Sequence, residues 1–293
     1  MTAEQIYIPI RKADSILSNR VFVFVRRNPT LTIGGGIFAV ILAGSLLAPL
    51  APGDAFDMQP ILRMRPPSAE SLLGTDQFGR DVLARSLYGG QVSLIVGCSV
   101  TALALIVGIF LGVIAGYFRA AEAPLMRLMD ALMSIPAVLL AIALVALTKP
   151  GVATVVLAIA IPEIPRVVRL VRSVVLSMRS AVFVEAAIVS GSNPAKIIRR
   201  HILPSTIGPL MVQATYICAS AILIEATLSF LGAGAPPEIP TWGNMIAASR
   251  LYLANAPWTI FVPSVFLALT VLSVNLIGDG LRDRLDPRLA RRL

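Results

Sequence analysis

Six apolar runs, each about as long as a bilayer is thick, leave this chain few ways to fold: approximately Leu31–Ala51, Val92–Phe118, Leu128–Leu147, Val152–Val171, Ile207–Leu231 and Trp258–Gly278. A helix needs roughly 20 apolar residues to cross the hydrocarbon core, and a helix satisfies its own backbone groups where no water can. The runs therefore predict an all-α, polytopic membrane protein with six transmembrane helices. The fourth run is the least regular, since IPEIPRVVR sets Glu163 and Arg166 among two prolines near its end.

Composition agrees. The 293 residues are 56% hydrophobic and only 14% charged, with a mean hydropathy of +0.82, too little charge to cover a soluble surface. Cys98 and Cys218 both fall inside apolar runs, which reads as small buried hydrophobes rather than a disulfide or metal pair. The formal charge of +9 does not imply nucleic acid, because the arginines flank apolar runs instead of interleaving with aromatics in a polar domain. The 21 glycines and 21 prolines are tolerable in membrane helices, where neighbouring chains re-satisfy freed backbone groups.

Basic residues are retained on the cytoplasmic side. With the N-terminus inside, 19 of the 25 Lys and Arg lie in inner segments, and only Arg63, Arg65, Arg80, Arg85, Lys149 and Arg250 lie outside. The expected organisation is a cytoplasmic segment 1–30, a first span 31–51, an outer loop 52–91, a five-helix core 92–278 with an inner loop at 181–206, and a cytoplasmic tail 279–293. The first span reads as an uncleaved anchor, since about thirty residues precede it. The outer loop balances five acidic residues against four basic ones and reads as facing water.

The inner loop contains EAAIVSGSNPAKIIRRHILPS, Glu185 to Ser205. Ser192 or Asn193 before Pro194 is a helix start, with a side-chain oxygen for the orphan N–H groups and proline where no donor is needed. Gly191 suits the left-handed residue that closes the helix carrying Glu185, Ala186 and Ala187. Two short helices joined by a sharp turn follow. In the second, Lys196, Arg199 and Arg200 share one side while Ala195, Ile197, Ile198 and Ile202 share the other, so it suits either an anionic leaflet or a groove on a protein partner.

Glu185-Ala186-Ala187, Gly191, then His201, Leu203 and Pro204 resembles the cytoplasmic signature of binding-protein-dependent ABC importer permeases. LLGTDQFGRDVLARSLYGGQVSL from Leu72, EATLSFLGAGAPPEIPTWGNMI from Glu225 and NLIGDGLRDRLDPR from Asn275 are similar to the C-type permeases of the peptide and nickel branch. The resemblance covers nearly the whole chain beyond Leu31. Two departures stand out: Ser71 where relatives often have histidine, and IPEIPRVVR where they often have Trp-Pro-x-Tyr-Ala-Arg.

That resemblance implies a type I ABC importer permease fold in the bacterial inner membrane, with both termini cytoplasmic and no covalent chemistry of its own. It further implies a B-type sister permease, two cytoplasmic ATPases that use ATP and magnesium, an extracytoplasmic binding protein, and coupling to the ATPases through the seven signature residues. This chain would bind no cofactor: it carries no Gly-rich phosphate loop ending in Gly-Lys-Ser/Thr. Peptides are the expected cargo, with glutathione or a nickel chelate as alternatives.

Polar residues in spans default to functional candidates. Glu225 is the candidate for the translocation path, against a helix-packing hydrogen bond. Asp130 is expected to pair locally with Arg127, Glu163 to lie near the inner interface, and His201 to be a docking contact. The rival classes are an ion-gradient carrier, which predicts repeated halves with buried acids, and a lipid-bound anchor without transport.

Overall fold

The computed structural model describes residues 25–26, 28–51, 53–149 and 151–285. The basic N-terminal segment up to Phe24 and the tail from 286 lie outside the described residues. Among the described residues there are helices and turns but no strand.

The long helices are α1 (Pro29–Leu46), α2 (Val82–Tyr117), α3 (Arg119–Met133), α4 (Ala137–Ala146) and α5 (Val152–Arg179). Then come α6 (Val182–Val189), α7 (Pro194–Ile197), α8 (Leu203–Phe230), α9 (Trp242–Ser249) and α10 (Trp258–Leu285). By length and composition α1, α2, α10 and the continuous run 194–230 can each cross a membrane, and α3 with α4 makes a fifth crossing if that bent pair is one span. The expected run Val152–Val171 is helical, but Glu163, Arg166 and Arg169 fall inside its first 18 residues and set it apart from the others on composition.

Three differences from the sequence expectations have local causes. Helix α2 starts ten residues before the apolar run, because the Asp81 side chain accepts from the Ala84 N–H at 2.8 Å and caps it. The run Leu128–Leu147 is two helices bent by 87°, broken where Pro136 cannot continue the ladder of the residues before it. The outer segment is only in part water-facing: residues 53–70 are mostly exposed, but Asp76, Arg80, Asp81 and Arg85 are all buried. Their charges are answered internally. Arg80 Nε donates to Asp76 at 2.7 Å, Ser71 Oγ to Asp81 at 2.6 Å, and Arg85 to the carbonyls of Ala55 at 3.1 Å and Pro237 at 3.4 Å. Indole N–H groups complete the knot, Trp258 donating to Thr75 O at 3.1 Å and Trp242 to Ser86 O at 2.9 Å. At its rim the backbone N–H groups of Asp57 and Phe56 donate to Asp54 and hold its carboxyl below the usual range.

Packing of the bundle rests on small residues, as it must where lipid removes the hydrophobic drive between helices. Gly108, Gly112 and Gly116 of α2 face Val167, Val171 and Val175 of α5, and all three valines are fully buried. A Cβ on these glycines would come within 2.5, 2.7 and 2.7 Å of the facing valine Cβ atoms. Helices α1 and α10 approach in the same way, through Gly34 against Leu276 and Gly280 against Leu31. Outward-facing Val40, Ile106, Phe110 and Phe261 are exposed, as lipid contact requires. Both cysteines are free, but Cys98 is exposed on the helix surface rather than buried.

Candidate functional site

The segment after α5 forms the expected pair of short helices. Helix α6 ends in a Schellman motif: Ser192 N–H donates to Ala187 O at 3.0 Å and Gly191 N–H to Ile188 O at 2.9 Å, with Gly191 at φ +75°. A Cβ at Gly191 would meet nothing within 4 Å, so the backbone angle and not crowding demands glycine. Asn193 is the cap of α7, its Oδ1 accepting from Ala195 N–H at 3.0 Å with Pro194 next to it. Helix α7 then passes through one wide π turn, Ile198–Ile202, directly into α8.

Anchors and free surface separate cleanly. Val184, Ile197 and Ile202 are fully buried, and Ala187, Ile198 and Leu203 pack on the same core. Glu185, Ala186, Gly191 and Pro204 are exposed, and so are Val182, Phe183, Ile188 and Val189. The signature thus divides into residues that hold the loop to the bundle and residues that present it. Glu185 has no ion pair among the described residues, whereas His201 lies against Phe183, ring centroids 6.0 Å apart, and ties the π turn to α6. Ala195 is exposed with Lys196, Arg199 and Arg200, correcting its expected place on the inner side of α7. Those four residues and Asn193 outline a shallow basic pocket.

Glu225 of α8 is fully buried; it accepts from Ser229 Oγ at 2.8 Å, with the Thr241 hydroxyl also close to the carboxyl. Helix α9 sits on this site, close enough that a Cβ on Gly243 would lie 2.5 Å from Ala226 Cα. Glu163 is also fully buried, midway along α5, and pairs with Arg166 at 2.9 Å. Asp130 does not pair with Arg127: its partner is Arg169 of α5 at 2.7 Å. Arg172 likewise donates to Glu122 of α3. The spacing of Arg166, Arg169 and Arg172 on one helix was the available signal for this set, but the partners of Arg169 and Arg172 are 39 and 50 residues away and nothing local marks them.

Residues 82–291 match the model of the family described as the binding-protein-dependent transport system inner membrane component. The chain belongs to this family. A probable peptide ABC transporter permease protein from Sinorhizobium fredii is 55% identical to this inner membrane component over 94% of the chain and 95% of the relative. A dipeptide transport system permease from Alkalihalophilus pseudofirmus is 42% identical over 92% and 89%. The fold of an inward-facing methionine ABC transporter superposes with a TM-score of 0.55 at 19% identity, covering 70% of this permease and 96% of that chain.

Proposed function

We propose that this permease forms half of the path of a peptide importer. A sister permease supplies the other half, an extracytoplasmic binding protein delivers the cargo, and two separate ATPases drive the cycle with ATP and magnesium. Both termini and the loop 181–206 face the cytoplasm in this reading, and α5 counts as a sixth span. The observation that carries it is the exposed face of α6: Glu185, without an ion partner among the described residues, ringed by exposed Val182, Phe183, Ile188 and Val189. Apolar residues in water beside a charge are the makings of a partner cleft. In this role Glu185 and Ala186 enter the ATPase, Gly191 makes the turn, and Ala187, Leu203 and His201 hold the loop to the bundle, with Pro204 at the head of α8. Lys196, Arg199 and Arg200 face anionic headgroups beside it. Glu225 fastens α8 beneath α9, at the outer end of the path.

Gly191→Asn is the test. Asparagine tolerates the left-handed angle better than other side chains, and the space around Gly191 is open within this chain. The variant is therefore expected in the membrane at normal amounts, with ATP hydrolysis stimulated by loaded binding protein reduced about tenfold because the new side chain meets the partner. Full stimulation in a Gly191→Asn complex refutes the coupling role.

A further inference from the structure

Three arginines at every third position of α5 each meet an acid: Arg166 with Glu163 at 2.9 Å, Arg169 with Asp130 at 2.7 Å, and Arg172 with Glu122. The Arg166, Arg169 and Asp130 side chains nonetheless stay 37%, 45% and 60% exposed in this chain. Counting about 20 residues from Val152 to cross the hydrocarbon reaches Val171, so Arg166 and Arg169 lie within the inner third of that thickness and Arg172 at its inner edge. Half-exposed charges at such depth cannot face lipid without a heavy cost, so they face a water-filled cavity or another protein surface.

The bend between α3 and α4 points the same way. It begins four residues after Asp130, and Ser134, Ile135 and Pro136 are exposed there. Non-helical backbone at membrane depth is tolerated where it lines a cavity or is covered by protein. The ion pairs and the bend thus mark one face of this chain as turned away from lipid.

We propose that these pairs form a charged strip that the cargo touches as it crosses, so that this chain filters peptides by their side-chain charge. The proposal rests on the peptide-importer reading above. A peptide carries a carboxylate and an ammonium, and a strip of paired acids and bases offers each a partner of opposite sign. Pairing also limits the hold. A lone arginine would retain a carboxylate, whereas one already paired with Asp130 exchanges partners and releases it, as conduction requires of any path site.

The test uses the complete complex in proteoliposomes and three dipeptides, each saturating the binding protein: alanyl-alanine, glutamyl-alanine and lysyl-alanine. Arg169→Gln is expected to lower the ratio of glutamyl-alanine to alanyl-alanine uptake about fivefold, and Asp130→Asn the ratio of lysyl-alanine to alanyl-alanine by a similar factor. Arg166→Gln carries the first expectation too, and because its acid lies on its own helix it leaves the ion pairs between α3 and α5 in place, removing only the stacking of Arg166 on Tyr216 of α8, 5.6 Å to the ring centroid. Ratios that stay at the wild-type value overturn the inference, whatever happens to total uptake, and leave the pairs as braces between α3 and α5. A wild-type complex that carries none of the three dipeptides overturns the importer reading and the inference with it.

Discussion

Gly112→Leu is expected to leave almost no assembled permease in the membrane. The glycine sits between Gly108 and Gly116 in the face of α2 that meets α5, and a Cβ there would lie 2.7 Å from Val171 Cβ and 3.0 Å from Val168 O. One of those neighbours is backbone and the other is the root of a fully buried side chain, so neither can swing aside. The helices must separate, and the valine contacts along Val167, Val171 and Val175 loosen together. Overpacking a core by one or two methylenes costs about 1–3 kcal/mol. Gly112→Ala should show that smaller loss as a lowered Tm in detergent, and leucine, with three more carbons, should prevent accumulation. Gly36→Leu is the control: nothing lies within 4 Å of Gly36, so its membrane yield and Tm should match the parent. A Gly112→Leu protein with parental Tm would show that α2 and α5 do not pack as described.

Asp76→Ala should be almost as severe, for an electrostatic reason. Its carboxylate holds Arg80 Nε at 2.7 Å with both side chains only 7% exposed, and it accepts the N–H groups of Phe78 at 2.8 Å and Arg80 at 3.0 Å. Removing the acid strands a buried guanidinium that stacks on the Phe78 ring, 4.6 Å from Arg80 Cζ, within electrostatic reach of Arg85. Breaking one side of a buried pair costs about 3–5 kcal/mol, more than the pair itself contributes. The double variant Asp76→Leu with Arg80→Met should therefore regain part of the lost Tm, although two N–H groups still lack their acceptor. If the double variant is no more stable than Asp76→Ala, the stranded charge is not the cause.

What could be read in the sequence was what depends on near neighbours. The turn at Gly191 and the cap at Asn193 were legible because capping involves residues two to five apart. The two short helices around that turn were recognisable for the same reason. Charge counting misled where the partner was remote: Asp130 has Arg127 three residues away, yet Arg169 from another helix reaches it first. The outer segment looked water-facing because its charges balance, and residues 53–70 are mostly exposed; but balanced charges are also what a buried knot needs, and only the fold shows Arg85 reaching Pro237. Glu225 was legible as a buried acid; that Ser229, one turn on, would be its partner was not distinguished from a place in the path.

The run from Pro194 to Phe230 is 37 residues of continuous helix, with the π turn and Pro209 inside it, about 55 Å at 1.5 Å per residue. One end carries the basic side chains beside Gly191, and the other carries Glu225 and Ser229 under α9. A rod of that length, pivoting near its middle, turns a tilt of about 5° into excursions of roughly 2.4 Å in opposite directions at its two ends. A push on the end beside Gly191 therefore moves the end under α9 the opposite way, and in the proposed importer the stiffness of one helix would gear the two mouths of the path in antiphase.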